Sequence, residues 1–293
     1  DVLPDVPEQL KAFAVLPKRL RLWLFRKIPK FIKNRVPILR QNNIRHAAHD
    51  LGWSGGKLVN IFDLLKANLI IVNDLPDYYP TDIFPPNVKI TGPLFSAPDD
   101  ASPVAPEILK VFDSKIPRPK IFCTLSSSGS EEMLRPVIKV FTFGDGLNWN
   151  AVILSPHFSV GRAREILGCR DRVYITDKFI PALKVNKMAD ITVCHGGQGT
   201  LQTALAAGTP VVGTAAQQEQ FINLSNIESL GAGIRIPRRK WNPGIIQKSI
   251  CRILKNEGFK ESASVLQNHI RAAYGAQNAA DVIWHTIKQA FGA

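Results

Sequence analysis

From Pro119 onward, short apolar runs alternate with segments of helical periodicity, and this alternation limits the possible folds more than any other feature. The extended candidates are residues 120–125, 150–155, 172–176, 191–195, 210–215 and 233–237. Helical patterns lie between them or follow them, at 130–141, 161–168, 180–189, 199–207, 217–230, 243–255, 260–272 and 277–291. Strands that alternate with crossover helices predict an α/β fold with a doubly wound parallel sheet. Ligands of such sheets bind at the carboxyl ends of the strands, beside the point where the strand order reverses.

The first third of the chain has a different character. Only two short extended segments are visible there, 69–73 and 88–92, joined by a bridge rich in Pro and Asp. A stretch rich in Pro, Ser and Asp follows and is typical of a linker. The sequence therefore predicts one unit at 1–95, a linker at 96–118, a larger domain at 119–276 and a final helix at 277–293.

Composition narrows the protein class. The chain has 293 residues, of which 45% are hydrophobic, so it can bury a sizeable core. It contains no apolar run of the roughly 18 residues that a membrane-spanning helix needs, and no secretory signal is visible. Its cysteines (Cys123, Cys169, Cys194 and Cys251) are far apart, which indicates neither a metal site nor a disulfide scaffold. We therefore expect a cytoplasmic protein in a reducing compartment, and the start at Asp1 without Met leaves a fragment or a processed chain open.

Positive charge is concentrated near the front of the chain. The formal net charge is +13, and residues 11–45 carry many Lys and Arg, no acidic side chain, and interleaved Leu, Ile, Phe and Trp. Such a segment can bind an anionic membrane surface, or it can be a helix pair with a buried apolar side and solvated charges. Pro17, Pro29 and Pro37 interrupt any single long helix, which weakens the membrane alternative. Nucleic acid is the least favoured partner, and we expect none.

The most informative local pattern follows the extended segment 191–194. It is a Gly-rich turn, residues 195–200 (HGGQGT), between a predicted strand and a predicted helix. Such a turn lets backbone N–H groups and the positive end of the helix approach an anion closely. Taken alone it predicts little, but the further pattern after it is more specific: Gly208, Thr209 and Pro210, then Glu219, Gln220 and Asn223, then Gly231 and Gly233.

The run CHGGQGTLQTALAAGTPVVGTAAQQEQFINLSNIESLGAG resembles the nucleotide-sugar-binding signature of GT1-type glycosyltransferases, the UDP-glucuronosyltransferase-like family. Segments 125–132, 174–183 and 275–287 are similar to other parts of that family, and the resemblance spans about residues 35–291. It implies a GT-B fold: a Rossmann-like donor-binding domain, a truncated second Rossmann-like domain on the acceptor side, and a last helix that crosses back to it.

The resemblance also implies roles for individual residues. It places two groups around the diphosphate: His195 with the amides of Gly197, Gly199 and Thr200, and the turn of Ser127, Ser128 and Gly129. The backbone at Ile180 would read the edge of the base. Glu219 and Gln220 would hydrogen-bond the sugar hydroxyls and orient the reacting carbon.

The sequence departs from the family pattern in three places. Ser126 stands where the family has the first glycine of its turn after the first strand of this domain, and TAAQQ precedes Glu219 where the family has a proline. The family's first strand–helix unit, which carries the catalytic histidine, has no counterpart. The remaining histidines have surface, loop or packing roles as their favoured interpretation (His46, His49, His157, His269 and His285), so the catalytic base is unassigned.

These patterns together predict an enzyme, an inverting glycosyltransferase that moves a hexose from a UDP- or dTDP-sugar to the hydroxyl of a small or lipidic acceptor. We expect no metal and no cofactor, because no D-x-D pair lies near the phosphate loop and the resemblance implies none. Two alternatives remain: a non-catalytic nucleotide-sugar-binding protein, or the donor subunit of a two-chain enzyme whose partner subunit supplies the acceptor domain. A third is a peripheral membrane module built on residues 11–45.

Overall fold

The computed structural model describes residues 42–54, 67–78, 84–95, 102–112, 116–125, 130–156, 159–168 and 170–292. The strands are β1 (Ile70–Val72), β2 (Val88–Ile90), β3 (Lys120–Thr124), β4 (Asn150–Leu154), β5 (Val173–Thr176), β6 (Ile191–Cys194), β7 (Val211–Gly213) and β8 (Gly233–Arg235). The helices are α1 (Asn42–Asp50), α2 (Pro106–Phe112), α3 (Glu131–Val140), α4 (Val160–Leu167), α5 (Ala182–Met188), α6 (Gln198–Ala206), α7 (Gln218–Ser229), α8 (Pro243–Leu254), α9 (Gly258–Ala272) and α10 (Gly275–Phe291).

Six strands form one parallel sheet in the order β5-β4-β3-β6-β7-β8. Renumbered within the sheet, this is the 3-2-1-4-5-6 order of doubly wound nucleotide-binding domains. Helices cover both faces, which explains why the strands read as continuous apolar runs rather than as alternating ones. The predicted parallel α/β sheet and its six strands are confirmed.

The core is divided by the sheet into layers. On β3, Ile121 and Cys123 point to one face and pack with residues of α3 and α8, while Phe122 points to the other and packs with α2 and α5. A further cluster joins β6 and β7 to α6, α7 and α9. The period of two along each strand sends alternate side chains to opposite layers.

One part of the predicted linker is folded. Within 96–118, residues 106–112 form α2, and its Ile108 and Phe112 are 1% and 0% exposed against Phe122 and Val152 of the sheet. This stretch is therefore built into the core of the larger domain rather than spanning a gap. The division between domains stays a prediction.

The N-terminal unit is represented by α1 and by β1 and β2, which pair in parallel with Ile70 opposite Val88. Its chain enters the larger domain just after β1, where Leu75 is fully buried in the cluster formed by α6, α7 and α9. The His269 side chain on α9 meets Asp77 at 2.7 Å, and Asn278 of α10 donates to the carbonyl of Thr91 at 3.2 Å. The two units are thus packed together through side chains and backbone.

Of the basic segment 11–45, only residues 42–45 are among those that the structure describes. The helix-pair and membrane interpretations of that segment therefore lie outside the described residues. In the part of the chain that is described, no helix has the length and apolarity to cross a membrane.

We predict that Leu75 anchors the N-terminal unit. Leu75→Ala should lower the free energy of unfolding by about 2–5 kcal/mol, because it leaves a cavity in a packed cluster. Urea denaturation of the purified chain measures this loss. Leu94→Ala, at a leucine that is 42% exposed in the same unit, is the control and should cost less than about 1 kcal/mol. Equal small losses in both variants would contradict the anchoring role.

Candidate functional site

The Gly-rich residues 195–200, here called the phosphate turn, lie where the strand order reverses. β3 pairs with β4 on one side and with β6 on the other, and Thr124 at the end of β3 is opposite Cys194 at the end of β6. The ends of β3 and β6, from which the two turns start, therefore lie side by side. Ser127, Ser128 and Gly129 belong to the first of these turns and lie outside the described residues.

Two glycines shape the phosphate turn. Gly196 has φ +89°, and a Cβ there would lie 2.7 Å from the Leu224 side chain. A Cβ on Gly197 would lie 2.6 Å from Nε2 of His195. The absence of side chains thus lets the turn pack onto α7 and lets the imidazole lie against the backbone.

The helix that follows starts without a side-chain cap. Gly197 is the N-cap residue of α6, and the amide of Leu201 donates to its carbonyl at 3.0 Å. The amides of Gly199 and Thr200 precede that first bond, and Gly199 is exposed with open space around it. Unpaired first-turn amides at the positive end of a helix form an anion site.

Buried polar atoms without partners lie at the exits of two adjacent strands. His195, after β6, is 3% exposed and its Nδ1 has no hydrogen-bond partner; Thr214, after β7, is fully buried and its Oγ1 has none. An unsatisfied buried polar atom costs about 1–3 kcal/mol, so it calls for a ligand or water. Burial also lowers the pKa of His195, which favours the neutral imidazole. The sequence analysis missed Thr214, because a threonine after a strand carries no signal of its own.

Asn223 connects the phosphate turn with the predicted sugar site. Its amide nitrogen donates to the carbonyl of Gly196 at 3.1 Å and to the carboxylate of Glu219. Glu219 itself is exposed at the start of α7. The structure therefore brings Glu219 next to the phosphate turn, with its carboxylate accessible and held by one amide.

Gln220 has a local role that the sequence analysis did not foresee. It is 1% exposed, and its Oε1 accepts hydrogen bonds from the amides of Ala216 at 2.9 Å and Gln217 at 3.2 Å. The side chain thus satisfies the loop before α7, where the family has a proline. Its carbonyl oxygen is already used, which leaves at most its amide group for a sugar hydroxyl.

Ile180 follows β5 at the far side of the same edge. Its side chain is 4% exposed and packs with Val185 and Phe122, so only its backbone could face a ligand. The neighbouring Phe179 is 73% exposed, although it is a large apolar residue. Sequence reasoning passed over Phe179; an aromatic residue in the loop directly after a strand was the available signal.

Acidic side chains follow the turn after β3, but one of them is compensated. Glu131 begins α3 and pairs with Arg135 at 2.6 Å and Arg162 at 3.5 Å. Glu132 is 88% exposed at the side chain and lies 4.0 Å from Arg238. The arginines offset part of the negative charge that an anion bound between the two turns would meet.

No described histidine other than His195 lies at this edge. His46 and His49 are exposed on α1, His285 is exposed on α10, and His269 pairs with Asp77. His157 lies outside the described residues. Across the described ranges, no group of three His, Cys, Asp or Glu side chains could hold a metal ion.

We predict that His195 makes the protein less stable in acid. Its lowered pKa means that the unfolded chain takes up the proton at a higher pH than the folded chain does. The stability that the protein has with a neutral His195 is therefore fully present above the unfolded pKa, near 6.5. It is lost as the pH drops from there through the folded pKa.

Urea denaturation at about pH 7.5 and about pH 5 should show a smaller loss of stability for His195→Gln than for the wild type. His285→Gln, at an exposed position, should keep the wild-type loss. If His195→Gln and the wild type lose the same free energy, burial of a neutral imidazole is not the cause.

Comparison with known proteins shows similarity to glycosyltransferases. Residues 160–283 match the family described as "Erythromycin biosynthesis protein CIII-like, C-terminal domain". A PGL/p-HBAD biosynthesis glycosyltransferase of Mycobacterium tuberculosis is 27% identical over 263 residues, which cover 89% of this chain and 56% of that protein. The chain thus spans just over half the length of this curated relative.

Solved structures share the fold. The glycosyltransferase of kitacinnamycin superimposes with a TM-score of 0.64 at 21% identity, over 82% of this chain and 60% of the other. A spinosyn rhamnosyltransferase complexed with thymidine diphosphate gives 0.55 at 20% identity, over 71% and 54%. The fold is therefore GT-B, and residues 160–283 are similar to the EryCIII-like C-terminal domain found in GT1-type glycosyltransferases.

Proposed function

We propose that this chain is the donor-binding part of an inverting glycosyltransferase that moves a hexose from a UDP- or dTDP-sugar to a hydroxyl group. The order of the candidate positions along one sheet edge carries the proposal. Ile180 follows β5, and Glu219 follows β7. Between them, the turn of residues 127–129 follows β3, and the phosphate turn follows β6. Read along the edge, these positions give base, diphosphate and sugar, which is the covalent order of a nucleotide sugar.

The spacing of the strands supports the same arrangement. Neighbouring strands are about 4.8 Å apart, so the exits of β5 and β6 are separated by roughly 14 Å, and that of β7 lies one strand further. A nucleoside, a diphosphate and a hexose in extended form need a groove of this order of length. The thymidine diphosphate bound by the spinosyn rhamnosyltransferase favours a pyrimidine base for the donor proposed here.

Each part of the nucleotide sugar would meet a suitable group. The exposed ring of Phe179 would stack on the base, beside the backbone at Ile180. His195 Nδ1 and the first amides of α6 would bind the diphosphate, which removes the cost of leaving them unpaired. Glu219 would accept hydrogen bonds from sugar hydroxyls and orient the anomeric carbon.

The transfer itself is a substitution at that carbon. The acceptor oxygen forms the new bond, the bond to the diphosphate oxygen breaks, and the electron pair leaves with the nucleoside diphosphate. Amides of the phosphate turn stabilise the charge on this leaving group. The acceptor proton must go to a general base, and we propose that this base lies outside the described residues, because His195 is buried at the diphosphate position.

The same observation favours a second candidate function. Within the described residues the donor edge carries binding groups and no free histidine base, so the chain would bind nucleotide sugars and depend on a partner subunit or further residues for transfer. Both functions involve no cofactor and no metal. A small or lipidic acceptor, a cytoplasmic location and peripheral membrane contact through residues 11–45 are part of the same proposal.

We predict that one pyrimidine nucleoside diphosphate stabilises the chain. Thermal unfolding with UDP, dTDP, GDP and ADP should show a shift with UDP or dTDP, because a ligand at 100 times its Kd adds about 2.7 kcal/mol. His195→Ala should lose the shift, while His285→Ala should keep it. No shift with any of the four nucleotides would contradict donor binding, and a shift that survives in His195→Ala would remove that residue from the site.

We predict that Glu219 recognises the sugar and not the phosphates. Glu219→Ala should weaken binding of the nucleotide sugar by roughly tenfold or more, because a hydrogen bond to a charged group contributes about 1.5–3 kcal/mol. Binding of the corresponding nucleoside diphosphate should be unchanged, and titration calorimetry measures both. Glu228→Gln, at the other end of α7, is the control. Equal losses for both ligands would mean that Glu219 acts through Asn223 on the phosphate turn instead.

A further inference from the structure

Two glutamines of α6 reach back to the N-terminal unit. Nε2 of Gln202 donates to the carbonyl of Asn73 at 2.9 Å, and Nε2 of Gln198 approaches the same oxygen at 3.3 Å. The two residues are four positions apart and therefore lie on the same face of the helix. One carbonyl oxygen can accept both bonds, because it has two lone pairs.

The acceptor of these bonds is rigidly held. Asp74 is 3% exposed, its Oδ1 accepts from the amide of Leu75 at 2.9 Å, and Nε2 of Gln202 lies 3.4 Å from the same oxygen. Leu75 is fully buried among residues of α6, α7 and α9. Residues 73–75, here called the β1-exit segment, are thus held by the burial of Leu75 as well as by polar contacts.

The position of Gln198 makes these bonds relevant to the ligand. Gln198 is the residue between Gly197 and Gly199 in the phosphate turn and the first residue of α6. Its side chain contacts the β1-exit segment, while the amides around it remain available at the uncapped helix end. On its other side the turn is held by the hydrogen bond from Asn223 to the carbonyl of Gly196, so Gln198 is the attachment on the side of the β1-exit segment.

We infer that Gln198 and Gln202 are positioning residues. Their hydrogen bonds connect the start of α6 to the β1-exit segment, and they thereby hold the phosphate turn in the position where its amides can bind a nucleoside diphosphate. This inference rests on the proposed function. It couples the acceptor-side unit to binding of the nucleotide sugar through two amide groups that do not contact the ligand.

The chain contains a matched control for this inference. At the opposite end of α6, Nε2 of Gln267 on α9 donates to the carbonyl of Ala206 at 3.0 Å. This bond has the same chemistry and attaches the same helix, but it lies one helix length away from the phosphate turn. Loss of either kind of bond should lower stability by a similar amount.

The test compares Gln198→Ala, Gln202→Ala and Gln267→Ala in the 293-residue chain. We expect the first two to weaken binding of UDP or dTDP by threefold to tenfold, roughly 0.6–1.4 kcal/mol by the rule that 1.4 kcal/mol is tenfold. Gln267→Ala should keep the wild-type Kd while losing a similar amount of thermal stability. The phosphorus NMR shift of the bound β-phosphate should move in the first two variants alone.

Each outcome decides the matter. If all three variants bind like the wild type, or if Gln267→Ala weakens binding as much as the others, the glutamines are only structural and the inference fails. If Gln202→Ala does not fold, the half-exposed Gln198→Ala still carries the comparison with Gln267→Ala. If the wild type binds no nucleoside diphosphate, the proposed function itself fails and takes this inference with it.

Discussion

The positions of the candidate site residues depend on the reversal of strand order at β3. Since β3 pairs with β4 on one side and with β6 on the other, the crossovers leave the sheet in opposite directions and open a crevice between their first turns. Thr124 at the end of β3 and Cys194 before the phosphate turn are neighbours only through that pairing. The strands on either side then extend the edge, β5 in one direction and β7 in the other.

At that end of the sheet, several polar groups of the candidate site lack a hydrogen-bond partner within the protein. His195 and Thr214 leave buried polar atoms unpaired, and α6 begins at a glycine where a serine or aspartate would cap the helix better. Each unpaired buried atom costs about 1–3 kcal/mol, whereas a glycine at the N-cap costs only about a few tenths of a kcal/mol relative to serine or aspartate. By contrast, Asn242 caps α8 through its side chain, and Gln220 satisfies the loop before α7. The start of α6 lies at the reversal point without a side-chain cap, and there a bound anion would offset the cost.

Most of the fold could be predicted from the apolar periodicity of the sequence. The features that could not be predicted depend on the hydrogen bonds and contacts that individual side chains make. All eight strands and the helices after residue 119 were predicted to within two residues, because buried parallel strands and amphipathic helices differ in period. α2 was missed because Pro and Asp residues around it suggested a linker, although Ile108, Val111 and Phe112 follow helical spacing. The candidate residues at the carboxyl ends of the strands could be predicted from a sequence motif. The capping role of Gln220 could not, because it depends on the direction in which the Ala216 and Gln217 amides point, and the sequence does not show that direction.

The contacts of the N-terminal unit are a second feature that could not be predicted from the sequence. Nothing in the sequence around Leu75 says that it is buried in another domain, since a leucine between Asp74 and Pro76 in a loop is ordinary. In the structure this leucine fills the cluster behind α6, and the carbonyl two residues earlier accepts both glutamine amides. The apolar contact and the polar contact reinforce each other: burial of Leu75 fixes the carbonyl, and the carbonyl fixes the end of the helix.

A GT-B enzyme must align a donor in one domain with an acceptor in the other. Here the backbone that leaves one domain already contacts the helix start proposed to bind the donor, so alignment of the two domains and the geometry of the phosphate turn would depend on the same few bonds.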